Sequence, residues 1–558
     1  MFRWPAGIRT GTSPSRGAFL AGVAVAVALT GVLTWRALAP GYLLYRDFVT
    51  VPVPVLNAAA FGAGGAPRAV PLDLVTAAAS WLVPSWLVQK ALLVAPLLLA
   101  GSGVSFLLRH RGPAATITGS ALAVWNPYVA QRLLLGQPPT LLGYAMIPWL
   151  IAAVRSQRSR GWRIALVALA ALPAAITPAG GVMALMTVIV ASASVTLPTP
   201  PTLPRPPTRP NLPTVRRRAF VDAGLLALPV LVLCLPWILA GLHDPARGAT
   251  PSGAAAFAVA ADSPAGVVGS VLTLGGVWAP AAHLASRGTV TALVAEFVLL
   301  VVAFCGWRGL RRDPGLRRAA DLALAAYAAV VCVVLLVAGP ALPLWRSVQV
   351  VPGVAMFRDT HRLLGFAAMS VSMLCAVAAA QVIAAVARLG GPRRRLPSAA
   401  AAVALVGVGL LSAPDLAARL DTVLSPVAFP AQWAQVVAAV DGPPGGGSVL
   451  ILPWQPFRQT PWAGPQPFLD PLPRALSVDV VSARDLLVRR AGGDVWVGGE
   501  DPPQAQRWRQ GGVGAAELRR LNVRWLVEWL DSPGALPTGH VGLTRVLDDA
   551  HWRVWRVN

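Results

Sequence analysis

Apolar positions dominate the chain and group into eleven stretches, at 17–39, 87–108, 113–127, 138–154, 163–177, 180–196, 219–240, 289–307, 319–338, 363–387 and 397–413. A membrane-spanning helix needs about 20 such residues. The third, fifth and last stretches are short, so the pattern predicts eleven spans within a range of ten to thirteen. The polar breaks alternate in charge. Residues 1–16, 109–111, 155–163, 204–218, 308–318 and 388–395 hold 23 Arg, against eight in the intervening loops. That asymmetry is what the positive-inside rule requires of a chain whose N-terminus is cytoplasmic. The expected layout is a basic cytoplasmic segment over 1–16 and a transmembrane domain over 17–413. Residues 414–558 then fall outside.

Beyond residue 413 the long apolar runs give way to shorter patterns. "GGSVLILPW" predicts a strand after a Gly-rich turn, "GAAELRRLN" a short helix, "VRWLVEWL" a strand and "TRVLDDAHWRVWRV" a closing hairpin. Together they predict a small extracytoplasmic α/β domain over 414–558. The first apolar run follows basic residues, as a signal peptide would, but its length favours an uncleaved first span. The Pro/Arg-rich stretch at 197–218 is an inner linker to which the sequence assigns no function. Two outer loops, 40–86 and 241–288, exceed simple connections, and loops of that size usually carry function. Within the first, "LDLVTAAASWLVPSWL" is patterned to lie along the interface.

The composition agrees: 55% hydrophobic and 13% charged residues, so lipid solvates most of the chain. The net charge of +24 marks topology rather than a nucleic-acid partner, because the Arg residues sit in the inner loops. Lys90 is the only lysine and has no glycine before it, which excludes a GxxxxGK[ST] phosphate loop. Cys234, Cys305, Cys332 and Cys375 lie in apolar runs and read as small hydrophobes. The six His show no metal-ligand spacing. No cofactor is identified, and use of a divalent metal stays open.

Charge in the outer loops needs a separate explanation. Asp47, Asp73, Asp244, Asp262 and Asp359 fall there, and a Lys/Arg rule does not account for them. In "LLYRDFVTVP" the Arg46–Asp47 pair follows the first span by about eight residues. Asp47 is the candidate general base, its pKa raised by partial burial. The plain alternative is an interfacial ion pair that anchors the loop. In "MFRDTHRLLGF", Arg358, His361 and Arg362 share a face if the segment is helical, and guanidinium forks fit phosphate oxygens. Asp359 lies off that face, and snorkelling arginines are the plain alternative. Tyr128, Gln131, Arg132 and Gln137 line another outer loop, where an ordinary helix–turn–helix is the simpler reading. With Asp73 and Asp359 they are the candidate substrate-binding residues. The tail tryptophans fit a small-domain core better than a sugar platform.

This layout resembles the C-type (GT-C) superfamily of integral-membrane glycosyltransferases. The order of "YRDF", "SWLVQKALLVAPLLLAGSGVSFLLR" and "ALAVWNPYVAQRLLLGQPPTLLGYAMIPWL" is similar to the membrane region of actinobacterial arabinofuranosyltransferases. "FRDTHRLLGF" and the closing "WRVWRVN" also resemble YfhO-like membrane proteins. The resemblance implies transfer of a sugar, arabinofuranose among the candidates, from a polyprenyl-phosphate donor to a cell-envelope glycan, with inversion, at the outer face of a bacterial plasma membrane. Asp47 would be its base, and Arg46, Arg358, His361 and Arg362 would bind the donor phosphate. The rival expectation is a non-enzymatic flippase, transporter or assembly factor for lipid-linked glycans. That reading calls for polar groups at mid-membrane depth, where Glu296 is the main candidate.

Overall fold

The computed structural model describes residues 15–63, 69–196, 212–243, 251–388, 395–442, 447–488, 493–498 and 501–558. Asp244 and most of the 197–218 linker lie outside them. Each of the eleven apolar stretches carries a helix: Arg16–Thr34, Ser85–Leu108, Pro113–Val124, Leu141–Val154, Arg160–Ala175, Pro178–Thr196, Leu212–His243, Val290–Arg311, Arg317–Ala338, Leu364–Arg388 and Arg395–Leu411. Among the described residues six helical segments are long and apolar enough to cross a membrane, or seven if a pair bent by 49° at residues 402–423 counts as one. Length alone therefore does not reach eleven. Helix Pro113–Val124 shows why: it rises only about 18 Å, and it is buried among Arg16–Thr34, Ser85–Leu108 and Leu364–Arg388.

Small residues permit that close packing. A Cβ on Gly101 would lie 2.5 Å from the Ala26 Cβ, and one on Gly119 would lie 2.6 Å from Val104. With no hydrophobic force to drive helices together in lipid, backbone approach of this kind supplies the contact.

The C-terminal unit matches its predicted elements. A five-stranded sheet runs in the order 480–481, Ser448–Leu452, Val523–Trp529, Trp552–Val557, Leu543–Asp548, parallel across the first three strands and antiparallel across the rest. Strand alternation sends Val449, Ile451, Val527 and Trp529 toward helix Trp433–Asp441. It sends Leu450, Leu452 and Leu526 toward Trp508 and Leu518 on the opposite face. Trp508, Trp529 and Trp552 are fully buried, so these are core residues. Helix Leu416–Val423 still packs on Arg16–Thr34 and Pro127–Leu134, which carries the bundle past residue 413.

The first long loop is clamped to this unit. Tyr42 and Val427 exchange backbone hydrogen bonds at 2.8 and 2.9 Å, and the Asn57 amide donates to the carbonyls of Pro473 and Leu476 at 3.1 and 2.8 Å. Asp73, a candidate substrate residue, is instead buried and pairs with Arg474 at 3.4 Å. Its role is to dock helix Leu72–Ala79 against the C-terminal unit.

Candidate active site

Asp47 sits in a tight turn. The Phe48 N–H donates to the Tyr45 carbonyl at 2.8 Å and the Tyr45 N–H to the Phe48 carbonyl at 3.3 Å, with Arg46 at φ +49°. Both flanks of the turn are fixed. Arg46 bonds Pro467 and Leu469 through its backbone, each at 2.8 Å, and the Tyr45 hydroxyl donates to the Leu134 carbonyl at 2.6 Å. Gly136 closes against the turn, since a Cβ there would lie 2.7 Å from the Tyr45 oxygen. Arg46 is held by Tyr45, to whose hydroxyl its Nε donates at 3.0 Å. Among the described residues no ion pair joins it to Asp47. The Asp47 carboxylate is exposed rather than partly buried, which corrects the sequence expectation.

A chain of side chains runs inward from that carboxylate. Gln137 Nε2 donates to Asp47 at 3.0 Å, and Gln137 Oε1 accepts from Arg132 Nη1 at 3.0 Å. Arg132 Nη1 also donates to Asp359 at 2.6 Å, and its Nη2 meets His361 Nδ1 at 2.7 Å. His361 Nε2 lies 3.1 Å from the Gly275 carbonyl, which can only accept. The two contacts together assign His361 the neutral Nε2–H tautomer. Arg362 Nε lies 3.3 Å from Asp359, and its carbonyl accepts from the Tyr128 hydroxyl at 2.9 Å. Burial alone would raise the Asp359 carboxyl; Arg132 and Arg362 reverse that and hold it at about 2.

The segment around Asp359 is not one helix. Two 3₁₀ turns, Val354–Phe357 and Thr360–Leu363, precede Leu364–Arg388, because Asp359 stands between them with non-helical backbone. The expected common face of Arg358, His361 and Arg362 is thus replaced by a split. His361 is fully buried and uses both ring nitrogens within the protein, so it is not available to a phosphate. Arg358 and Arg362 stay half-buried. Arg358 stacks on Phe257, 4.5 Å from the ring centroid. Burial pushes its guanidinium down to about 10, with Arg362 adding to the effect and Asp359 and Asp47 opposing it.

Tyr128, Gln131, Arg132 and Asp359 are buried as well, which corrects the expectation that they face substrate: Arg132 holds Gln137 behind Asp47, and Tyr128 and Asp359 hold Arg362. Gln131 accepts from the Val277 N–H at 3.1 Å and donates to Asp262. Asp262 takes a bidentate grip from Arg287 at 2.7 and 3.0 Å, and Arg287 also pairs with Glu296. Arg287 holds the Asp262 carboxyl below its ordinary value against the opposing effect of burial. Glu296 is thereby held in a buried triad with Arg287 and Asp262. Sequence reasoning misses Arg287, whose only signal is an arginine in an outer loop.

Lys90, the single lysine, is buried beside Gln89, whose amide bonds the Leu43 backbone at 2.8 and 2.9 Å, and its Nζ has no partner among the described residues. Lys90→Met is expected to stabilise the fold by about 1–3 kcal/mol, the penalty of an unsatisfied buried group. Thermal unfolding of the purified variant checks this; a lowered midpoint would mean that Lys90 has an essential partner.

No protein-family model and no curated protein matches the sequence. Structural comparison does find relatives. Arabinofuranosyltransferase AftD from Mycobacteria superposes with a TM-score of 0.60 at 17% identity, over 98% of this chain and 42% of AftD. The chain therefore shares the fold of the part of AftD on which it superposes. It spans 42% of the length of AftD, so the likeness concerns the part that the two share. ArnT from Cupriavidus metallidurans, bound to undecaprenyl phosphate, gives a TM-score of 0.42 at 13% identity over 98% of both chains. AglB from Archaeoglobus fulgidus gives 0.40 at 13% identity, over 92% of this chain and 69% of AglB. In this fold, Asp47 lies on the first loop after the first helix, at the level of Gln89 near the start of helix Ser85–Leu108.

Proposed function

We propose that the chain is a membrane glycosyltransferase that moves a sugar from a polyprenyl-phosphate donor to a cell-envelope glycan at the outer face of the membrane, with inversion. The observation that carries this reading is the run of side chains from the exposed Asp47 carboxylate through Gln137, Arg132 and Asp359 to the half-buried Arg362. An acceptor hydroxyl attacks the anomeric carbon, the bond from that carbon to the phosphate oxygen breaks, and the electron pair leaves with the polyprenyl phosphate. Asp47 takes the hydroxyl proton. Arg358 and Arg362 stabilise the charge that develops on the leaving phosphate, where fixed donors act most strongly. Arabinofuranose is the first sugar to test, on the strength of the AftD fold.

The test is transfer in membranes carrying the full chain, with a panel of labelled polyprenyl-phosphate sugars. One donor is expected to support transfer, and Arg358→Gln to lower its kcat/KM. The loss of a charge-assisted bond worth roughly 1.5–3 kcal/mol corresponds to about ten- to a hundredfold. Absence of transfer with every donor, or an unchanged kcat/KM in the variant, would overturn the assignment.

A further inference from the structure

The bundle holds a cavity of about 1200 Å³ that the candidate site does not use. It exceeds the roughly 300–1,000 Å³ of an ordinary small-molecule pocket. Its wall is largely apolar, with Ile151, Met186, Leu322, Val330, Met373 and Val377 typical of it. The cavity follows helix Leu364–Arg388 from Phe366 to Ala384, about 27 Å of helix at 1.5 Å per residue. That length approaches the thickness of a bilayer's hydrocarbon core.

Among the described residues, every charged group lining the cavity lies at one end. Arg109, His110 and Arg111 terminate the helix that starts at Ser85, Arg155 follows Leu141–Val154, and Asp313 follows Val290–Arg311. Gln89, four residues into that first helix, bonds the Leu43 and Phe48 carbonyls beside the Asp47 turn. About 30 Å of helix therefore separates Arg109 from the level of Asp47. Asp47, Arg358 and Arg362 do not line the cavity.

We propose that this cavity binds an anionic phospholipid, its acyl chains filling the apolar channel and its phosphate lying among Arg109, Arg111 and Arg155 at the end opposite Asp47. Among the described residues lining that end, three guanidiniums stand with one carboxylate, and a net positive charge suits a phosphate diester. Guanidinium forks match phosphate oxygens in two-point contacts. Basic pockets between spanning helices are a general means of holding acidic headgroups. A lipid with its phosphate at Arg358 and Arg362 would carry its headgroup at the other end of the bundle, so the site is distinct from the proposed donor site and stands whether or not that reading holds.

The experiment uses the full chain, purified in detergent, stripped of lipid and followed by native mass spectrometry and thermal unfolding. Dioleoylphosphatidylglycerol is expected to remain bound at one copy and to raise the unfolding midpoint, with dioleoylphosphatidylcholine more than tenfold weaker. Arg111→Gln with Arg155→Gln is expected to reduce phosphatidylglycerol to the level of phosphatidylcholine. Ala326→Trp, which fills the cavity from its wall, is expected to abolish retention of either lipid. The paired arginine variant tests the headgroup site independently if Ala326→Trp fails to fold. Equal binding of the two lipids, or undiminished phosphatidylglycerol binding in the arginine variant, would overturn the proposal. Equal stabilisation by inorganic phosphate alone would also overturn it, as would displacement of phosphatidylglycerol by an equimolar amount of undecaprenyl phosphate.

Discussion

Asp47→Asn is expected to lower sugar transfer by about 10²–10⁴-fold, the range for loss of a positioned general base, with expression and unfolding temperature unchanged. Asn keeps the size of Asp and still accepts from Gln137, whose Nε2 lies 3.0 Å from the native carboxylate. It cannot take the acceptor's proton. Because Asp47 is exposed, the exchange creates no buried unsatisfied group and the Tyr45–Phe48 turn survives. The loss should appear in kcat, with the donor KM nearly constant, since the donor phosphate rests on other residues. Initial rates of labelled-sugar transfer in membranes with matched protein levels check this. Equal rates for the two proteins would remove Asp47 from the mechanism and leave Arg358 and Arg362 as a lipid-phosphate site without a base.

The fold was largely legible because its signals are local. Each of the eleven apolar runs carries a helix, and the strand patterns located four of the five strands of the C-terminal sheet, 480–481 being the exception. The number of crossings was less legible, because hydropathy does not distinguish a helix facing lipid from one such as Pro113–Val124 that is enclosed by other helices. The site divides along the same line. Asp47, Arg358 and Arg362 stand out as charges in outer loops, whereas their arrangement depends on contacts across more than 200 positions, such as Arg132 with Asp359. A helical reading of 356–366 places His361 beside the arginines, and only the two 3₁₀ turns that flank Asp359 show that it faces inward. Asp73 escapes for a related reason: its partner, Arg474, lies in the C-terminal unit, and nothing in the first loop announces that contact.

Arg132→Met is expected to cost about 3–5 kcal/mol of stability, the usual result of removing one partner from a buried ion pair. Arg132 is fully buried, and its Nη1 lies 2.6 Å from an Asp359 carboxylate that is itself almost wholly enclosed. Among the described residues Asp359 then retains only the longer Arg362 contact at 3.3 Å, and His361 Nδ1 loses its donor. Thermal unfolding of the purified variants measures the effect, and Arg132→Met combined with Asp359→Leu should recover most of the lost stability by removing the stranded charge. Transfer should behave differently. Arg132 also donates to Gln137, which holds Asp47, so the double variant regains its fold while transfer stays low. Recovery of both together would mean that Arg132 serves the fold alone. A single variant as stable as the native chain would mean that the Asp359 carboxylate finds another counter-charge and that Arg132 is not the centre of the scaffold.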